Sequence, residues 1–183
     1  SKDNSEKGAY TGNVYIDGYK IDGTKLWRID LGRNIRAGAH YTQFMVYDLD
    51  GDGKAEVACK TAPGTIDGQG KAVLMGDDKV TDDYRVSSGS NKGIIVSGPE
   101  YLTVFNGQTG AEITTVSYVP LRSVRSNSQW GDSYGNRSER YLACVAYLDG
   151  QKPSLVMCRG YYTASYLCAW DFDGKNLTQR WLH

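Results

Sequence analysis

The stretch TQFMVYDLDGDGKAEVACKTA, residues 42–62, reads as two apolar strands joined by an acidic turn. The turn, DLDGDGKAE, places Asp48, Asp50 and Asp52 at positions one, three and five, and Glu56 at position nine. Gly53 at position six permits a sharp bend, and Lys54 at position seven offers its carbonyl. Calcium takes about six to eight hard oxygen ligands at about 2.3–2.6 Å, and this spacing converges four carboxylates and a carbonyl. Position twelve is Cys59 and the flanks are β-like, so the turn is not an EF-hand. The alternative is an acidic hairpin turn without metal, in which neighbouring carboxylates would repel.

Outward from this hairpin the chain repeats itself. ERYLACVAYLDGQKPSLVMCRGYY, residues 139–162, has the same strand–turn–strand form, but its turn, LDGQKPS, lacks the acidic ladder. Calcium is therefore expected at the first of these hairpins and not at the second. Three other hairpins alternate with them, at residues 13–32, 101–119 and 165–183, each turning through Asp-Gly or Thr-Gly. Glycine supplies the positive φ that tight hairpin turns require. The alternation predicts an all-β protein of β-propeller type. Residues 13–32 would be the outer hairpin of one blade, 42–119 a second blade with a long insertion, and 139–183 a third. About two and a half antiparallel blades cannot close a ring that needs at least about four, so residues 1–183 read as a partial propeller domain cut from a longer protein. The insertions at 63–98 and 120–138 are long loops, where binding usually resides.

Composition narrows the partners. The chain carries 21 basic and 21 acidic side chains, so no net charge draws it to nucleic acid or an anionic membrane surface. No run approaches the roughly 20 apolar residues of a membrane span. Tyrosine occurs 14 times and glycine 22 times, as suits strands and turns. Cys59, Cys144, Cys158 and Cys168 sit in apolar runs without metal-site spacing and read as four small buried side chains.

The run LWRIDLGRNIRAGAHYTQFMVYDLDGDGKAEVACKTAPGTIDGQG (residues 26–70), with WGDSYGNR (130–137) and VMCRGYYT (156–163), closely resembles the bacterial rhamnogalacturonan lyases of polysaccharide lyase family 11. The likeness extends over essentially the whole chain. It implies an eight-bladed propeller with several calcium ions, to which this chain contributes a section from the N-terminal half. It also implies a secreted or periplasmic bacterial enzyme that cleaves the rhamnogalacturonan I backbone of pectin by β-elimination. The remainder of its own propeller would be its structural partner. The competing expectation is a non-catalytic calcium-binding propeller serving adhesion or carbohydrate binding, because a scaffold does not fix function.

β-Elimination needs a base for the C5 proton and positive charge against the uronate carboxylate. Catalytic candidates are His40, Lys60 and Arg159. His40, in GAHYTQ, has a structural loop tie or a calcium ligand as its alternatives. Lys60 ends a strand beside PGT, where a solvated lysine is the plainer reading. Arg159 occupies the matching place in the next blade and would clamp a carboxylate through its planar fork. Tyr161 and Tyr162 are candidates for stacking on sugar, or for simple packing. Arg36 is a candidate substrate contact, and Arg33 shares its loop around Asn34. Asp132 and Asn136 form a candidate second calcium site, or cap a turn. Asp3 and Asn4 could belong to a neighbouring calcium turn, and Asp67 is a loop carboxylate without an evident partner.

Overall fold

The computed structural model describes residues 3–38 and 40–183. Strands β1 (Val14–Tyr19) and β2 (Lys25–Gly32) pair as an isolated antiparallel hairpin. Strands β3 (Phe44–Tyr47), β4 (Glu56–Thr61), β5 (Tyr101–Asn106) and β6 (Glu112–Ser117) form an antiparallel sheet in chain order. Strands β7 (Ala143–Ala146), β8 (Ser154–Arg159), β9 (Tyr166–Phe172) and β10 (Leu177–Leu182) form another, also in chain order. One short helix, α1 (Asn127–Trp130), lies in the second insertion, closed at its start by a capping box between Ser126 and Gln129. No described helix is long and apolar enough to cross a membrane.

The period-two alternation of each strand explains the layering. Along β4, Val57 and Cys59 face the β1–β2 hairpin, where they join Trp27, Ile29, Leu31 and Phe105. Ala58 points the other way, into a core shared by both four-stranded sheets with Leu102, Val104, Leu155, Met157 and Trp170. β4 is therefore buried on both faces. Strand β3 approaches β7, and β6 approaches β10, so the two sheets lie face to face and run in the same sense. Each fully buried aliphatic side chain between them contributes about 1.5–3 kcal/mol relative to exposure.

The expectation of four buried cysteines needs correction. Phe44, Val46 and Tyr47 of β3 are exposed, because β3 is an edge strand with a partner on one side only. The same position in the second sheet exposes Cys144 on β7, so the four cysteines are not all buried. Cys59 and Cys168 are buried and Cys158 is half-buried, and all four are free thiols.

Candidate functional site

Three places gather the sequence-derived candidates: the acidic turn, a buried ionic cluster, and a shelf of aromatic and cationic side chains.

In the acidic turn, Asp48 follows β3 directly and Glu56 opens β4, opposite Tyr47. The Asp48 carboxylate accepts the Gly51 and Gly53 N–H groups at 2.8 and 3.0 Å, which folds the loop back on itself. Gly53 has φ +85°, a conformation that an L side chain resists. Carboxylate oxygens of Asp48, Asp50 and Glu56 lie within 4.8 Å of one another. Glu56 is buried, and its inner oxygen accepts the Leu49 N–H at 2.9 Å. Burial, with the charges of Asp50, Asp52 and Asp48 nearby, pushes its carboxyl up. Such a donor set, all hard oxygen and rich in negative charge, fits a hard divalent cation. Asp52 stands apart from the three: its carboxylate accepts the Lys54 N–H at 2.8 Å and faces Lys54 Nζ at 3.6 Å.

The turn at residues 148–154 is closed differently. Asp149 accepts the Gln151 and Lys152 N–H groups at 2.8 and 2.9 Å, and Arg180 neutralises it at 2.8 Å. A guanidinium there occupies the electrostatic role that the first turn leaves open.

Lys60 and Arg159 are not solvated strand ends. Both lie in one sealed cluster with Glu100, Arg122 and Glu139, between the ends of β4 and β8. Lys60 Nζ is 3.1 Å from Glu100 and 3.8 Å from Glu139. Arg159 pairs with Glu100 and donates to the carbonyls of Pro120 and Ser138, each at 2.8 Å. The Tyr141 hydroxyl lies 2.8 Å from Glu139 and 3.1 Å from Glu100, and its single proton serves one of the two at a time. Burial alone would push both carboxyls up. The charges of Arg159, Lys60 and Arg122 outweigh it at Glu100 and hold it well below the usual range. The same three cations bring Glu139 down to about 2. Burial lowers the Lys60 ammonium, against the pull of Glu100 and Glu139. Every charge in the cluster is satisfied from within, so it braces the two sheets and does not present a free group to solvent.

The shelf lies directly beyond that cluster. Glu139 is followed by Arg140, and Arg159 by Gly160, Tyr161 and Tyr162. The Gly160 N–H donates to the Arg140 carbonyl at 2.7 Å, tying the two segments together. A Cβ at Gly160 would lie 2.6 Å from the Trp130 ring, so only glycine lets WGDSYGNR pack against CRGYYT. His40, Arg140, Leu142, Gly160, Tyr161 and Tyr162 line an open cavity of about 440 Å³. His40 is exposed at its rim. The Tyr161 and Tyr162 rings lie 4.0 Å apart, and Tyr162 is 81% exposed. Tyr162 also has φ +64°, the only positive φ outside glycine among the described residues.

The remaining candidates support this shelf from behind. Arg36 is buried; its Nε and Nη2 hold Asp3 at 2.9 and 2.7 Å, its Nη1 donates to the Tyr134 carbonyl, and it stacks on Tyr41. That leaves it no nitrogen for substrate. Asp132 caps a turn, accepting the N–H groups of Tyr134, Asn136 and Arg137 through both oxygens. Asn136 bonds Arg140 and the Tyr161 hydroxyl instead of joining Asp132 around an ion. Among the described residues, Asp48, Asp50 and Glu56 are the one group of three or more His, Cys, Asp or Glu side chains whose ligand atoms converge. Asn4 is buried and bonds the carbonyls of Gly12 and Ile35. Asn34, beside Arg33, anchors the 63–98 insertion through Pro63, Asp82 and Tyr84. Asp67 accepts the N–H groups of Gln69, Lys71 and Glu112. Sequence reading missed Glu100, Arg122 and Glu139, which lie outside the strands and far from Lys60 in the chain. It also missed Arg140, whose sole signal was its place just before a strand that opens on the shelf.

The family model described as rhamnogalacturonan lyase family 11, C-terminal domain, matches residues 1–183. The chain is 61% identical over 182 residues to the rhamnogalacturonan exolyase YesX of Bacillus subtilis (strain 168), covering 100% of this chain and 28% of that protein. It is 60% identical over 181 residues to the rhamnogalacturonan endolyase YesW of the same strain, covering 99% of this chain and 27% of that protein. The crystal structure of YesX superposes with a TM-score of 0.89 at 60% identity, covering 100% of this chain and 28% of that one. A Bacillus licheniformis rhamnogalacturonan lyase superposes with a TM-score of 0.89 at 61% identity, covering 100% and 29% respectively. The chain thus spans under a third of the length of the relatives it matches. On the match across its whole length, the chain belongs to rhamnogalacturonan lyase family 11.

Proposed function

We propose that this chain is a section of a rhamnogalacturonan lyase that cleaves the rhamnogalacturonan I backbone of pectin, leaving an unsaturated galacturonate. The observation that carries the reading is the identity of about 60% along the whole chain to two rhamnogalacturonan lyases, an exolyase and an endolyase. In β-elimination a base takes the C5 proton of galacturonate, the C5–H electrons form the C4–C5 double bond, and the C4–O4 bond breaks with its electron pair on the oxygen of the departing rhamnose, which takes up a proton. Negative charge gathers at the uronate carboxylate as the proton departs, so fixed positive charge near that group lowers the barrier. The shelf offers cationic and aromatic groups on an open wall, and His40 at its rim is the chain's candidate for contact with the reacting sugar. Lys60 and Arg159 act at one remove, by holding Arg140 and Tyr161 in place.

Calcium is the proposed cofactor of the acidic turn, held by Asp48, Asp50 and Glu56 and completed by the Lys54 carbonyl. Bound there, it supplies the positive charge that closes the turn between β3 and β4. The proposed architecture is a propeller, eight-bladed as in the family, with the two four-stranded sheets as complete blades and the β1–β2 hairpin as the outer half of another. Favouring this, Tyr15, Phe44 and Val46 line an open space of about 510 Å³ between β1 and β3, where the inner strands of that blade would lie. The rest of the ring is then the partner of these exposed side chains. A polymeric pectic substrate also places the enzyme outside the cytoplasm, secreted or periplasmic.

The test is product analysis. The full-length protein is incubated with rhamnogalacturonan I and the new chain ends are identified by mass spectrometry. Fragments ending in unsaturated galacturonate are expected. Fragments carrying an added water would mean hydrolysis and would overturn the reading, and an intact polymer would favour a binding module.

A further inference from the structure

Arg140 is one of four arginines, with Arg33, Arg125 and Arg137, that pair with no carboxylate among the described residues, and of these it alone lines the cavity beside His40, Tyr161 and Tyr162. Arg28, Arg36, Arg85, Arg122, Arg159 and Arg180 each pair with a carboxylate. Arg140 has no carboxylate partner among the described residues. Its plane is fixed by aromatic faces: its guanidinium carbon lies 4.5 Å from the Tyr161 ring centroid and 5.4 Å from that of Tyr41. Asn136 fixes its rotation, accepting from Nε through the main-chain carbonyl at 3.1 Å and from Nη2 through Oδ1 at 2.9 Å. Nη1 has no acceptor among the described residues, and the side chain lines the 440 Å³ cavity. No acidic side chain lines that cavity. Beside it, Tyr162 is held in a backbone conformation that costs a bulky residue of order 1 kcal/mol or more, with its ring turned to solvent. The carboxylate-free Arg137 lies 5.9 Å from that ring.

A cation oriented by rings, stripped of acidic partners and open on one nitrogen is built to receive an anion from outside. Exposed tyrosine faces alongside suit the apolar face of a pyranose ring. We propose that this shelf is a uronate-binding subsite in which Arg140 Nη1 donates to the carboxylate of a hexuronic acid and Tyr162 stacks against its ring. The assignment of the sugar to a pectic chain rests on the proposed lyase function; the subsite itself rests on the geometry.

The full-length protein is treated with phenylglyoxal, which modifies accessible guanidinium groups, and the rate at Arg140 is read by peptide mapping. Sodium galacturonate is expected to slow that rate at least several-fold, and neutral galactose to leave it unchanged. Equal rates with the two sugars would overturn the subsite. This readout requires no turnover: an inactive protein whose Arg140 is still protected would sink the lyase reading while sustaining the subsite. In kinetics on rhamnogalacturonan I, Arg140→Gln is expected to raise KM roughly tenfold or more at an unchanged melting temperature, with Arg140→Lys between it and the parent. A folded Arg140→Gln protein with the parental KM would also overturn the proposal.

Discussion

Glu56 shows how one side chain can carry a local charge problem. It is a buried carboxylate in a turn with three aspartates, and Lys54 is turned to Asp52. If calcium binds as proposed, Glu56→Gln and Asp48→Ala should remove the rise in melting temperature expected from it at this turn. Asp52→Ala should keep most of it, because Asp52 stands outside the converging group. A site saturated a hundredfold above its Kd contributes about 2.7 kcal/mol, which a calcium titration of thermal unfolding resolves. An Asp52→Ala loss as large as that of Glu56→Gln would contradict this division. The aspartate spacing made the turn legible in the sequence. The separation of Asp52 was not, because it depends on which way each carboxylate turns after its neighbours' N–H groups are satisfied. Lys60 and Arg159 were legible as important but not as buried, since their partners Glu100 and Glu139 come from distant irregular segments. Arg159→Ala should cost about 3–5 kcal/mol by removing one of the three buried cations that hold Glu100 and Glu139 ionised, as measured by denaturant unfolding.

Between elements, the ionic cluster and the shelf form one unit joined by the β8 end and the segment before β7. Glu139 and Glu100 both titrate lower in the folded protein than the usual value of 4.5. The folded state therefore binds fewer protons than the unfolded chain in that range. Their contribution to stability is complete above about pH 4.5 and is lost as pH falls towards about 2. Acid unfolding followed by near-ultraviolet circular dichroism should show this loss. Glu139→Gln should be less stable at neutral pH and should flatten the acid slope. The shelf predicts an opposition between stability and binding at Tyr162. Tyr162→Gly should leave the melting temperature level or raised, because glycine accepts φ +64° freely, while raising KM on the polysaccharide. A lowered melting temperature with unaltered KM would assign Tyr162 a packing role.

At the scale of the molecule, alternation and glycine turns were enough to read all-β architecture and the order of hairpins, since both follow from backbone geometry that neighbouring residues determine. The exposure of Phe44, Val46 and Cys144 was not readable, because an edge strand and a central strand share the same apolar alternation. The candidate site was legible in part: CRGYYT marked Tyr161 and Tyr162, but Arg140 emerged only when β8 and the segment before β7 were placed side by side. We propose that this sheet array belongs to an enzyme that eliminates across the galacturonate C4–C5 bond with calcium in its frame. The direct measurement is a continuous absorbance assay for the unsaturated uronate, using full-length protein and rhamnogalacturonan I, with calcium and after chelation. A steady rise with calcium that chelation abolishes and added calcium restores is expected; no rise in calcium, or a rate indifferent to chelation, would rule this function out.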